Sequence, residues 1–253
     1  MSVEFVARPP RGRMYSTTRR VHAGDVDGSA RLRLQALAHF FQDVATDDVA
    51  DAGVTSRAGV WMMRRVEVEV FDLPRFGDEV ALDTFASGTG PRWAERRTTM
   101  RRADGVLAGI LAEGVAVWVF VDPVRGRPLS LPAEFDAVYG PSAEGRRISG
   151  RLGHPKPHAE ATNRLWPLRE CDFDVLDHVN NARYLEAVED ELAARVPGQR
   201  VVRASVEYRG AVERGEAVSL VSEQRALDGG ATELAAWLLV AGVVRVSALV
   251  TTV

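Results

Sequence analysis

The chain has 253 residues, of which 46% are hydrophobic and 26% charged, the profile of a globular protein long enough for one large domain or two small ones and unlike a disordered tail. Its formal net charge of -3 lacks the basic excess of a nucleic-acid partner, and with Lys156 as the only lysine the arginine content reads as coding bias. The single cysteine, Cys171, excludes an internal disulfide and no zinc-type Cys/His spacing is present, so neither metal nor cofactor is expected and a reducing cytoplasm is the expected compartment.

Residues 1–20 are polar and broken by Pro9 and Pro10, which offers no apolar core for a leader. No apolar run approaches the roughly 20 residues of a membrane span. Leu37, Phe40, Phe41, Val44 and Val49 recur at helical spacing and predict a helix over 32–52. Four strand-like stretches follow, at 63–71, 78–85, 93–101 and 107–120. The stretch 122–167 holds Pro123, Pro128, Pro132, Pro141, Pro155 and Pro157, without sustained periodicity apart from short pieces around 135–139, and reads as a crossover linker. A second helix is predicted over 181–196, with Tyr184, Leu185, Val188, Leu192 and Val196 as its apolar stripe and Glu186, Glu189, Asp190 and Glu191 on the wet side. Strands are predicted again at 201–209, 217–225, 232–239 and 243–252.

One helix followed by a run of strands thus occurs twice, and the residues repeat too. Glu69, Val70, Gly77, Val80 and Leu82 stand opposite Glu207, Tyr208, Gly215, Val218 and Leu220 at one constant offset. Asp25 and Asp27 precede the first helix as Asp172 and Asp174 precede the second. A sheet of four or five strands with one helix cannot cover both its faces, so each copy is expected to pack on the other, the two sheets joined edge to edge.

The segment Asp172-Phe-Asp174-Val-Leu-Asp-His178-Val-Asn180-Asn181-Ala-Arg-Tyr184 resembles the D-x-D-x-x-x-H-V-N-N-x-x-Y signature of hot-dog thioesterases. Around it, Trp61, the turn Leu73-Pro74-Arg75-Phe76-Gly77-Asp78 and Glu207-Tyr208-Arg209 are similar to the acyl-acyl carrier protein thioesterases, whose single chain carries two hot-dog units. The resemblance runs over about 15–253. It implies an α+β double hot-dog, each unit an antiparallel sheet wrapped around a long helix: an N-terminal unit at 1–135 that shapes the acyl pocket, a linker at 136–160 and a catalytic C-terminal unit at 161–253. It implies hydrolysis of a fatty-acyl thioester on acyl carrier protein or coenzyme A, without cofactor. The first copy has Arg31 where the second has His178, so one active site per chain is expected. Two family positions differ: plant enzymes carry an asparagine where Leu176 stands, and a Glu-Cys pair where Ala211 and Val212 stand.

Thioester hydrolysis needs a base or nucleophile at the carbonyl carbon and donors for the developing oxyanion. Asp174 suits the first role, by direct attack or through water. His178 could orient the carboxylate, the water or the leaving thiolate, and the helix N-terminus supplies amide donors. Asn180 or Asn181 is the expected N-cap. Asn180, Asn181, Glu207 and Trp61 are the candidate substrate-binding residues. The sober readings are a turn role for Asp174 and a solvent-facing strand position for Glu207. The alternatives to hydrolysis are a non-hydrolytic acyl-thioester or carrier-binding protein, and a hot-dog dehydratase or hydratase. A chain that already pairs two units can still form a homodimer.

Overall fold

In the computed structural model, which describes residues 4–54, 59–103, 109–158 and 161–253, the period-2 stretches become antiparallel strands in each of the units Met1–Arg151 and Leu152–Val253. The first unit contains β1 (Tyr15–Arg20), α1 (Leu34–Ala52), β2 (Val60–Val70), β3 (Glu79–Thr89), β4 (Trp93–Arg102), β5 (Ile110–Val121) and α2 (Ala133–Ala143). Its strand order is β1-β3-β4-β5-β2. The helix α1 lies against β1 and β3 and buries Leu37, Phe40, Phe41 and Val44, the residues whose spacing predicted it. Gly114 of β5 makes this close approach possible, because a Cβ there would sit 2.3 Å from the Phe41 ring.

The second unit repeats the plan with β6 (Thr162–Trp166), α3 (Tyr184–Arg195), β7 (Val201–Tyr208), β8 (Val218–Ala226), β9 (Thr232–Val240) and β10 (Val243–Thr252), in the order β7-β10-β9-β8-β6. Both polar turns bend at a glycine with left-handed backbone, Gly77 at φ 89° and Gly215 at φ 84°, a conformation in which a side chain would be strained.

Four sequence expectations are corrected. The strands β1 and β6 escape a search for apolar alternation because both are edge strands made mostly of polar residues. The proline-rich stretch contains α2, which carries Pro141 in its interior and buries Phe135 and Tyr139. Glu191, read as part of the wet side of α3, is 5% exposed and bonded to Arg164, Arg195 and Ser222. The two helices start later than their periodicity, at Leu34 and Tyr184, because Leu32 is taken up in a β-bridge with Val26 and residues 181–183 in a turn. The fourth strand starts at Ile110; its expected first residues, 107 and 108, lie outside the described residues, as do 159 and 160 of the linker.

The linker supplies a cover for the sheet faces that carry no helix. In the first unit, Arg146 bonds Glu95 and the Ser87 carbonyl, and the Trp93 indole donates to the Ile148 carbonyl at 2.9 Å. In the second, the Gly153 amide donates to Glu207, the ring of His154 sits between Ser247 at 3.0 Å and Ser205 at 2.9 Å, and Trp237 donates to the Pro155 carbonyl at 2.8 Å. Each unit therefore has a helix face and a linker face. No helix among the described residues is long and apolar enough to cross a membrane.

Candidate active site

The loops that lead into α1 and α3 fold alike. The Asp27 amide donates to the Arg31 carbonyl at 2.8 Å, as the Asp174 amide does to the His178 carbonyl at 2.9 Å. Ala30 and Asp177 take the same left-handed position, at φ 62° and 59°. Asp25 and Asp172 accept the amides of His22 and Arg169 at 2.8 and 2.7 Å, and Leu32 and Val179 donate to the carbonyls of Pro74 and Val212 at 2.9 and 3.0 Å. The turn is thus part of the scaffold.

What the two aspartates do inside that turn differs. Asp27 Oδ1 accepts the Ser29 amide, the Ser29 hydroxyl and the Arg31 amide, at 2.8, 2.7 and 3.0 Å. Burial pushes the Asp27 carboxyl up, but these donors outweigh it and hold the group below its ordinary range. Asp174 Oδ1 accepts only the Leu176 amide, at 2.9 Å, among the described residues. Leucine in place of serine removes a hydroxyl donor, so less of this carboxylate is consumed by the turn.

His178 follows in the same loop. Its Nδ1 is buried and has no hydrogen-bond partner among the described residues, a condition that costs free energy and is met at catalytic positions more readily than at structural ones. Its backbone bridges to Glu213. The cap position of α3 is Arg183, without a side-chain cap bond, and not Asn180 or Asn181 as expected, because a turn over 181–183 separates them from the helix; Asn180 fixes that turn, accepting the Ala182 amide on Oδ1 at 3.0 Å and the Arg183 amide on its carbonyl at 2.9 Å. The Asn181 carbonyl accepts the Tyr208 hydroxyl at 3.0 Å.

The remaining candidates stand elsewhere. Glu207 is adjacent to Tyr208 in β7 and therefore points to the other face, where it holds the Gly153 amide and Arg209. Its contacts are those of a linker clamp. Trp61 belongs to the first unit, where its ring packs on Phe120 and Phe135 at centroid distances of 5.2 and 5.3 Å.

Two aromatic residues enter the site instead. Tyr184, the first residue of α3, stacks between Trp166 and Tyr208, with ring centroids 6.2 and 6.1 Å apart. Burial raises its hydroxyl well above the ordinary tyrosine range, and the Asp174 charge adds to the rise. Burial does the same to Tyr208. Both phenols stay protonated and remain donors at neutral pH. Tyr184 closes the signature as a sequence feature, but its apolar-stripe position conceals the polar neighbourhood of its hydroxyl. Among the described residues no group of three or more His, Cys, Asp or Glu side chains is placed to hold a metal ion.

The chain matches the acyl-ACP thioesterase N-terminal domain over residues 12–139 and the acyl-ACP thioesterase C-terminal domain over residues 155–242. It is 27% identical over 225 residues to an uncharacterized protein of Mycobacterium tuberculosis, covering 88% of each chain. It is also 27% identical over 159 residues to a chloroplastic palmitoyl-acyl carrier protein thioesterase of Arabidopsis thaliana, covering 59% of this chain and 38% of that one. The crystallised 12:0-ACP thioesterase of Umbellularia californica superposes with a TM-score of 0.81 at 17% identity, over 95% of this chain and 94% of that chain. The fold is accordingly the double hot-dog that the signature implied.

Proposed function

Since the chain belongs to the acyl-ACP thioesterase family, whose members are thioester hydrolases, we propose that its Asp174–His178 loop hydrolyses fatty-acyl thioesters carried on acyl carrier protein or coenzyme A and releases the free acid. The observation that carries the assignment of residues is the contrast between two matched turns. Asp27 Oδ1 accepts three donors, whereas Asp174 Oδ1 accepts one among the described residues, and the Asp174 amide bonds the carbonyl of His178, whose buried Nδ1 has no hydrogen-bond partner among the described residues.

The less engaged Asp174 oxygen takes a proton from water as the water oxygen adds to the carbonyl carbon, or adds there itself. Amides at the start of α3 stabilise the oxyanion. Collapse breaks the C–S bond, and the thiolate takes up a proton, for which His178 is the nearby carrier; on the direct route water then cleaves the mixed anhydride, which releases the acid and restores the Asp174 carboxylate. Asn180 fixes the turn that leads into α3. The enzyme works in the cytoplasm on this reading, and further pairing of chains into a homodimer is read by sedimentation velocity.

Asp174→Asn keeps an oxygen for the Leu176 amide and loses the charge. It is expected to lower kcat on acyl-carrier-protein and acyl-CoA substrates by about 10²–10⁴-fold with an unchanged melting temperature. Hydrolysis at the wild-type rate would refute the role of Asp174. Repeated turnovers in ¹⁸O-water, followed by mass analysis of the peptide that contains Asp174, separate the routes: direct attack with opening of the anhydride at the aspartyl carbonyl puts label into Asp174, and water attack leaves that side chain unlabelled.

A further inference from the structure

Two stretches of the second unit lie against each other: the loop 170–179, which carries Asp174 and His178, and the turn between β7 and β8. Their backbones meet where the Val179 amide donates to the Val212 carbonyl at 3.0 Å and where His178 bridges to Glu213. Arg214, the next residue of the turn, reaches across to the loop. Its Nη1 donates to Glu170 at 2.5 Å and its Nε to Asp177 at 2.9 Å, and its guanidinium carbon lies 4.3 Å from the centroid of the Phe173 ring. One side chain thus holds the loop at three residues that flank Asp174 on both sides.

Asp177 is where such a hold has most effect. It occupies the left-handed region, at φ 59°, which costs free energy for a residue with a Cβ and persists when the surroundings fix it. Its amide donates to the Asp174 carbonyl at 3.0 Å, and the Asp174 amide donates to the His178 carbonyl at 2.9 Å. The backbone that carries Asp174 is therefore bonded directly to the residue that Arg214 grips. Arginine suits the place, since its planar fork offers donors to two carboxylates and a flat face to a ring.

The first unit provides an internal comparison. In its matched loop, Ala23, Val26 and Ala30 stand where Glu170, Phe173 and Asp177 do, and in its matched turn Phe76 stands where Arg214 does. Phe76 has an exposed side chain and meets the loop through its backbone, the amide donating to the Ala30 carbonyl at 2.9 Å. Loop and turn are therefore common scaffold. The arginine and its two carboxylates belong to the copy that has His178.

We propose that Arg214 is a positioning residue of the hydrolytic site: by clamping Glu170 and Asp177 it fixes the loop in the geometry from which Asp174 acts. The inference rests on the reading of Asp174 given above. The clamped side chains are well exposed, Arg214 at 44%, Asp177 at 69% and Glu170 at 87%, and exposed ion pairs add little to the stability of a fold. The clamp is therefore expected to act on rate and not on melting temperature. Rate is the more sensitive property, because a misplacement of about 1 Å in a reacting group can cost about 100-fold.

The test is steady-state thiol release by Arg214→Ala, Asp177→Ala and the double variant, from octanoyl-CoA and palmitoyl-CoA and from the same acyl groups on acyl carrier protein. Alanine is the first unit's own residue at the position of Asp177, so the turn tolerates it. Arg214→Ala is expected to lower kcat by about tenfold on both carriers, with KM and melting temperature unchanged. Asp177→Ala is expected to lose part of the same rate, and the double variant to be no slower than Arg214→Ala, because both changes remove one contact. An unchanged kcat, losses that multiply in the double variant, a KM effect in place of a kcat effect, or a fall in melting temperature that accounts for the lost rate overturns the proposal. Asp174→Asn, run alongside, keeps the two ideas apart: an inactive Asp174→Asn with a normal Arg214→Ala sinks only the clamp, and an active Asp174→Asn sinks the reading beneath it.

Discussion

Asp27 and Asp174 perform the same backbone task and differ in how much of the carboxylate that task consumes. The serine hydroxyl at Ser29, replaced by Leu176 in the second loop, accounts for part of the difference. Restoring it should tie Asp174 down: Leu176→Ser is expected to lower kcat by about tenfold, the worth of one hydrogen bond to a charged acceptor, with no loss in chemical denaturation. An unchanged kcat would mean that the carboxylate is not limited by its turn contacts. The residues of this loop were legible in sequence because the signature sets residue types at short fixed spacings. The bulge of β10 at Arg245 was not, since a strict period of two along 243–252 gives no hint of the slipped residue. Glu207 shows the same limit: its type and neighbours leave its face undecided, and the pairing of Ser247 with Glu207, beside that of Val246 with Tyr208, assigns it to the linker side.

The second helix is held by a buried charge as well as by its apolar stripe. Burial pushes the Glu191 carboxyl up, but bonds from Ser222, Arg195 and Arg164 outweigh burial and bring it down to about 2, from an ordinary 4.5. A folded-state value below the unfolded one means that the stabilisation is complete above pH of about 4.5 and is lost as pH falls toward about 2. Glu191→Gln is therefore expected to cost on the order of 3 kcal/mol at pH 7, with the gap to wild type closing below pH 4. Urea denaturation across that range measures it, and a pH-independent gap would trace the loss to packing alone. The helix itself was legible from Tyr184, Leu185 and Val188. The buried role of Glu191 was not, because periodicity assigns a charged residue to the wet side without seeing Arg164 of β6 and Ser222 of β8.

Across the whole molecule the same turn and helix are built twice, and the second copy carries His178 where the first has Arg31. The proposed function therefore expects one functional site per chain. Titration with a non-hydrolysable acyl thioether of coenzyme A, followed by calorimetry, is expected to give one binding event per chain, intact in Glu207→Gln. Two equivalent sites would contradict the division of labour. The linker takes part in both units: its first half ties Glu95, Trp93 and Ser87, and its second half ties Glu207, Trp237 and the serine pair around His154. A sequence reading that sees only prolines there misses a cover for two sheet faces and a helix, since these contacts join residues far apart in the chain.

The sequence by itself determined the repeat, the two helices, eight of the ten strands among the described residues and the aspartate–histidine loop, because each of these is written in residue types at fixed sequence spacings. Tertiary structure alone decided which face Glu207 occupies, where β10 slips its register, what the polar edge strands pair with, and how many donors each turn aspartate must share. Those outcomes depend on register and on partners brought together from distant parts of a unit, and local periodicity carries no record of either.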